Sequence, residues 1–252
     1  MEKEKDAIDA VVEWIRASHN TVVLTGAQLS EESGVPDFTS PSINPPISEF
    51  RGSREARASY WARMKELYPL LASAKPNAAH EALYRMEVLG YLNSLFTLTV
   101  DGLHQRAGSS FVMELLSTVL WIVCTQCGKG YDLSSIQDRL EKGEDVPACE
   151  SCGGDLLKPE ISFPGQPPPH WELREAWMKL RGCDLFMAVG ANLDVQPASS
   201  LPSMSKEQGA RLVIISQTET PADDFADAVI YGNPSDVLSF IVERLREGME
   251  YS

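Results

Sequence analysis

Four of the five cysteines fall into two Cys-x-x-Cys pairs, Cys124-Thr-Gln-Cys127 and Cys149-Glu-Ser-Cys152, with 21 residues between them. Each pair can turn two sulfurs toward one centre, and two pairs complete a tetrahedron of thiolates about 2.3 Å from a zinc ion. Gly128, Gly153 and Gly154 follow the pairs and suit tight turns. Four sulfur ligands leave no position for water, so the expected Zn2+ is structural and not catalytic. The fifth, Cys183, opens the apolar run Leu185-Phe-Met-Ala-Val189 and reads as a core residue.

A second group of residues lies near the N-terminus. The apolar run Val22-Val-Leu24 enters Thr25-Gly26-Ala27-Gln28-Leu29-Ser30, which continues through Gly34-Val35-Pro36-Asp37-Phe38-Thr39. A glycine-bearing turn directly after a strand lets the backbone approach a nucleotide's phosphates.

These residues must be held by a larger frame. Residues 5 to 18 place Ile8, Val11, Val12 and Ile15 on one helical face. Strand signals recur at 21–24, 95–100, 185–189, 212–215 and 228–230, with helical patterns between them. Such alternation predicts an α/β fold, a Rossmann-like and mostly parallel sheet with helices on both faces, with its ligand at the carboxyl ends of the strands. The expected division is a Rossmann-like domain from 1–123 and 159–252, whose first part carries a helical insert at 39–75, and a zinc-ribbon-like module at 124–158. A helix is expected at 56–71 after a Pro-rich loop, another at 134–143, and a last one at 234–249.

The chain is 252 residues long, with 36 acidic and 22 basic side chains and a formal net charge of -14. That balance opposes direct nucleic-acid contact and favours basic partners such as lysine-rich segments. No stretch reaches the roughly 18 to 20 apolar residues of a membrane span, and no signal-peptide pattern opens the chain. Paired cysteines without a disulfide framework suit a reducing compartment, so the expected location is cytoplasmic.

The chain resembles the sirtuins, NAD-dependent protein deacylases whose cofactor loop reads Gly-Ala-Gly-x-Ser-x-x-Ser-Gly-x-Pro-Asp-Phe-Arg. The likeness continues through Pro76-Asn77-Ala-Ala-His80, Asp101-Gly-Leu-His104-Gln-Arg-Ala-Gly108, the cysteine module, Lys158-Pro159, Phe163-Pro-Gly-Gln166, Asp184 to Gly190, and Val195-Gln-Pro197. The resemblance implies cofactor contacts at Gly26, Ala27, Gln28, Ser30, Asp37, Thr39, Thr99, Asp101, Gly190, Asn192 and Ser216. It also implies zinc ligation by Cys124, Cys127, Cys149 and Cys152.

Several of those positions depart from the pattern. Leu116 stands where the resemblance places a histidine general base, and leucine accepts no proton. Gln28 replaces the second loop glycine, Thr39 an arginine, Leu98 and Thr99 a Gln and an Asn, Ala191-Asn192 a Thr-Ser pair, and Ser216 an Asn. An arginine's charge-assisted hydrogen bond alone is worth roughly 1.5 to 3 kcal/mol.

The resulting expectation is a catalytically inactive binding or regulatory partner, engaging an active enzyme, a lysine-rich segment or a small cleft ligand, with NAD binding weak or absent. The alternatives are a deacylase or ADP-ribosyltransferase of weak or altered chemistry, and a remodelled cleft serving another reaction. Asp101 and His104 are the residual catalytic candidates, His104 more simply structural. Ser30 and Asp37 could equally cap helices or brace turns, and Thr99 and Asn192 could face solvent. Glu114 could serve as an acid or base if it points inward, although a strand or loop glutamate is usually exposed, and His19 and His170 read as surface positions.

Overall fold

A computed structural model describes residues 2–167, 170–194 and 198–247. The chain begins with α1 (Glu2–Ala17) and then runs β1 (Thr21–Thr25), α2 (Ala27–Glu32), α3 (Ile47–Gly52), α4 (Arg54–Ser73), α5 (Ala78–Val88), β2 (Ser94–Thr97), α6 (Leu103–Ala107) and β3 (Val112–Glu114). Next come β4 (Trp121–Cys124), β5 (Gly130–Asp132), α7 (Leu133–Glu141) and β6 (Leu157–Pro159). The chain then continues through α8 (His170–Lys179), β7 (Leu185–Val189), α9 (Leu201–Glu207), β8 (Arg211–Ser216), β9 (Ala228–Tyr231) and α10 (Pro234–Glu247).

Six strands form one parallel sheet in the order β3-β2-β1-β7-β8-β9. The central strands are buried on both faces, which is why they read as continuous apolar runs without alternation. Side chains still alternate between faces: Val23, Leu95 and Met187 share one cluster with α1, α5 and α10. Val22, Leu24 and Phe186 share another with α8 and α9.

The strands expected from sequence are all present, with ends shifted by a few residues. β3 was not expected; its three residues are only half-buried and too short to show a period. The segment at 39–55 contains α3, whose Phe50 is buried although prolines flank it. The segment Val195-Gln196-Pro197, the side chain of His170 and the end of the last helix lie outside the described residues.

A third cluster unites the helical insert with the cysteine module. Phe50, Tyr60, Trp61 and Met64 pack with Ile122, Ile136, Leu157 and Phe163. The module's antiparallel sheet, β5-β4-β6, spans 121–159 and so starts slightly before the first cysteine. Arg57 is buried and ties the two parts together, donating to the Phe50 carbonyl at 2.8 Å and to Asp155 at 2.9 Å. Asp155 is only half-buried, and removing it would leave the buried guanidinium with carbonyl partners alone.

His80 and His104 lie against each other within the fold, with ring centroids 4.7 Å apart, planes tilted by 50° and neither ring exposed. Burial pushes His80 down to about 4 and His104 to about 3. Both rings are therefore neutral in the folded state, while the unfolded chain protonates them below about 6.5. Stability is unaffected above that pH and falls as pH drops from about 6.5 toward the folded values. Urea unfolding at pH 7 and pH 4.5 should show a loss of roughly 2 kcal/mol or more per ring. His80→Gln, if it folds, should flatten that dependence; an unchanged pH profile would reject this account.

Candidate functional site

The sheet order reverses between β1 and β7, the position at which ligands bind in doubly wound folds. Two loops meet there. Gly26 N–H donates to the Val189 carbonyl at 3.1 Å, and Gln28 N–H to the Gly190 carbonyl at 3.2 Å. A Cβ on Gly26 would lie 2.4 Å from the Ala191 Cα and 2.5 Å from the Gly190 oxygen, so only glycine allows this approach.

On the β1–β2 side a small cavity is lined by Ala27, Ser30, Asp37, Phe38, Thr39, Leu98, Thr99 and Asp101, among others. Its volume of about 20 Å³ holds about one water. A nucleotide-sized ligand therefore needs part of this lining to move. Asp101 is buried, accepts from Ser30 Oγ at 2.5 Å and from the Leu103 N–H at 2.9 Å, and is raised by burial. These bonds fix its carboxylate beside the cavity.

The other expected residues divide by position. Asp37 braces its own turn, accepting from the Thr39 N–H at 2.8 Å and the Thr39 hydroxyl at 2.5 Å. Thr99 is buried rather than solvent-facing, whereas Asn192 is exposed. Gly190 adopts φ +60° at the end of β7. Ser216 ends β8 and is fully buried.

His104 is not among the cavity-lining residues. Its Nε2 lies 2.8 Å from the Thr25 hydroxyl, which donates to Thr97 at 2.9 Å; Thr97 and Thr99 hydroxyls are 2.8 Å apart. This hydroxyl chain reaches the cavity wall, yet a ring held at about 3 is too weak a base at neutral pH.

Leu116 is half-buried and packs on the core shared with the cysteine module. The next residue, Ser117, carries φ +65°. Glu114 is half-buried rather than exposed, in line with the inward-pointing alternative, and burial, together with the nearby Asp101 charge, pushes it up to about 7.

The four cysteines converge. All four Sγ atoms lie within 4.8 Å of one another, with Cys124–Cys152 at 3.6 Å and Cys127–Cys149 at 3.5 Å. A tetrahedral zinc–thiolate site has sulfurs about 3.8 Å apart, so this donor set fits zinc and is far too open for disulfides. Gly128 and Gly153 close the two turns at φ +78° and +72°. The Tyr131 hydroxyl accepts from the Glu150 N–H at 2.9 Å and lies 3.2 Å from Cys149 Sγ, where it can steady a thiolate.

A switch-point crevice on a parallel sheet, joined to a module whose four cysteines fit a zinc ion, defines a Rossmann-like fold with an inserted cysteine cluster. Residues 26–197 match the Sir2 family. The chain is 41% identical over 247 residues to NAD-dependent protein deacetylase 1 of Pyrobaculum aerophilum, covering 96% of each chain. It is 36% identical to an NAD-dependent protein deacetylase of Thermodesulfovibrio yellowstonii, again over 96% of each. Among solved structures, Sir2Tm bound to a propionylated peptide superposes with a TM-score of 0.85 at 34% identity, covering 96% of this chain and 98% of that one. A Sir2 mutant with tyrosine in place of a histidine, in complex with p53 peptide and NAD, gives 0.84 at 33% identity, covering 97% and 99%. The chain belongs to the Sir2 family, the sirtuins.

These relatives overturn the expectation of an inactive binding partner. Proteins named as NAD-dependent deacetylases match almost every part of the chain, and that favours the enzymatic alternative. The expectation rested on the replaced residues alone, and a count of replacements does not measure the activity of the site that results.

Two outcomes follow from this geometry. Metal analysis should find about one zinc per chain, and Cys149→Ser or chelation should lower the thermal midpoint; a folded, metal-free protein of unchanged midpoint would refute the site. Gly26→Ala should destabilise by about 1 to 3 kcal/mol or more, read from denaturant unfolding.

Proposed function

We propose that the chain is an NAD-dependent protein-lysine deacylase whose proton-accepting step is altered. The observation that carries this reading is the cavity at the switch point, where Asp101 is held in one orientation by Ser30 and by the Leu103 N–H. A buried carboxylate with fixed geometry is suited to receive an amide donor of a ligand. The near full-length likeness to named deacetylases supports the same activity.

When bound, NAD supplies a nicotinamide leaving group on its ribose. Ala27, Ser30, Asp37, Thr99 and Asp101 are the residues proposed to hold that end, once part of the cavity lining has moved. Leu116 offers no proton acceptor and packs its side chain against apolar neighbours. The altered step is thus assigned to proton removal and not to binding of the acyl-lysine. A Sir2 protein with a histidine replaced by tyrosine forms a complex with peptide and NAD, which supports a separation of binding from proton transfer.

The substrate proposed is an acylated lysine within a basic segment, since a chain of net charge -14 attracts such segments. Among the described residues no helix is long and apolar enough to cross a membrane. Five cysteines without disulfides favour a reducing setting, and we place the protein in the cytoplasm.

The test is nicotinamide release from NAD with an acetyl-lysine peptide. Wild type should turn over slowly, and Leu116→His should raise the rate about tenfold or more, because a positioned general base contributes about 10² to 10⁴. No release from either protein would sink the reading.

A further inference from the structure

The half of the crevice on the β7–β8 side is crossed by one side chain. Gln28 is buried, and its carboxamide crosses the carboxyl ends of β1, β7 and β8. The amide oxygen accepts from the Gln217 N–H at 3.0 Å. The amide nitrogen donates to Ser216 Oγ at 3.2 Å, with Asn192 Oδ1 and Thr218 Oγ1 each at 3.4 Å.

The backbone around it is equally occupied. Gln28 N–H is given to the Gly190 carbonyl, and Thr218 N–H to Ser216 Oγ. The N–H groups of Gln28, Gln217 and Thr218 thus already have partners within the chain.

A dinucleotide in a doubly wound fold lies across the switch point and needs both halves of the crevice. On one side the obstacle is the narrowness of the cavity, whose lining includes Val35 to Thr39. On the other it is a hydrogen-bonded plug.

We infer that Gln28 is a specificity-determining latch: its carboxamide stands in for the distal nucleotide of a dinucleotide, and must swing out before that half can bind. The latch deepens the proposed deacylase reading and rests on it for the identity of the dinucleotide. Its energetic effect is confined to ligands that carry the distal nucleotide. A ligand made of the nicotinamide end alone does not meet Gln28.

Calorimetric titration decides the matter without reference to turnover. NAD, ADP-ribose and nicotinamide mononucleotide are titrated into wild type, Gln28→Ala and Gln28→Ser, the serine variant serving if alanine disturbs the fold. Circular dichroism confirms that each variant is folded. NAD and ADP-ribose should bind about tenfold more tightly to the variants, which is about 1.4 kcal/mol, while nicotinamide mononucleotide changes less than about twofold.

The latch is overturned if NAD and ADP-ribose bind the variants equally or more weakly, if neither variant binds them at all, or if the mononucleotide gains as much as they do. Failure of the deacylase reading registers elsewhere, as absence of nicotinamide release, and leaves this binding comparison readable.

Discussion

Everything in the crevice depends on how closely two loops approach at the point where the sheet changes direction. Gly26 has no side chain, so the end of β1 can rest on Gly190 and Ala191 at the end of β7. That contact fixes the relation between the two halves of the site. It sets Ser30 against Asp101 on one side, and it aims Gln28 at Ser216 and Gln217 on the other. A side chain at position 26 would push the loops apart and release both arrangements together.

The fold was legible in the sequence because its signals are local. Central strands such as Val22–Leu24 and Leu185–Val189 are apolar throughout, since parallel strands are covered on both faces. The cysteine spacing was equally direct, because four thiolates in two turns have few other uses. β3 escaped notice because three half-buried residues carry no periodicity. Its partner β2 holds it in register, and that is information from elsewhere in the chain.

The site was only partly legible. The cofactor-loop residues were found by their order, yet order does not reveal direction. Glu114 could point inward or, as strand glutamates usually do, outward, and it is half-buried near Asp101. Gln28 was expected to project into the phosphate space or to force the backbone away. Its side chain lies across the ends of three strands, with partners nearly 190 residues distant in sequence. Long-range hydrogen bonds of this kind leave no trace in residue spacing. The functional inference erred for a related reason: counting replaced residues measures departure from a pattern, not the free energy of the site that results.

The core shared by α4 and the cysteine module has one further consequence. Val35 and Phe38, which border the cavity, belong to the same apolar cluster as Cys124, Cys149 and Leu157, and Arg57 bolts that cluster to Asp155. The segment that borders the cavity therefore rests on the same core as the cysteine module. A ligand larger than the cavity would have to draw Val35 and Phe38 away from that core, so a stiffer cysteine module would raise the cost of admitting it.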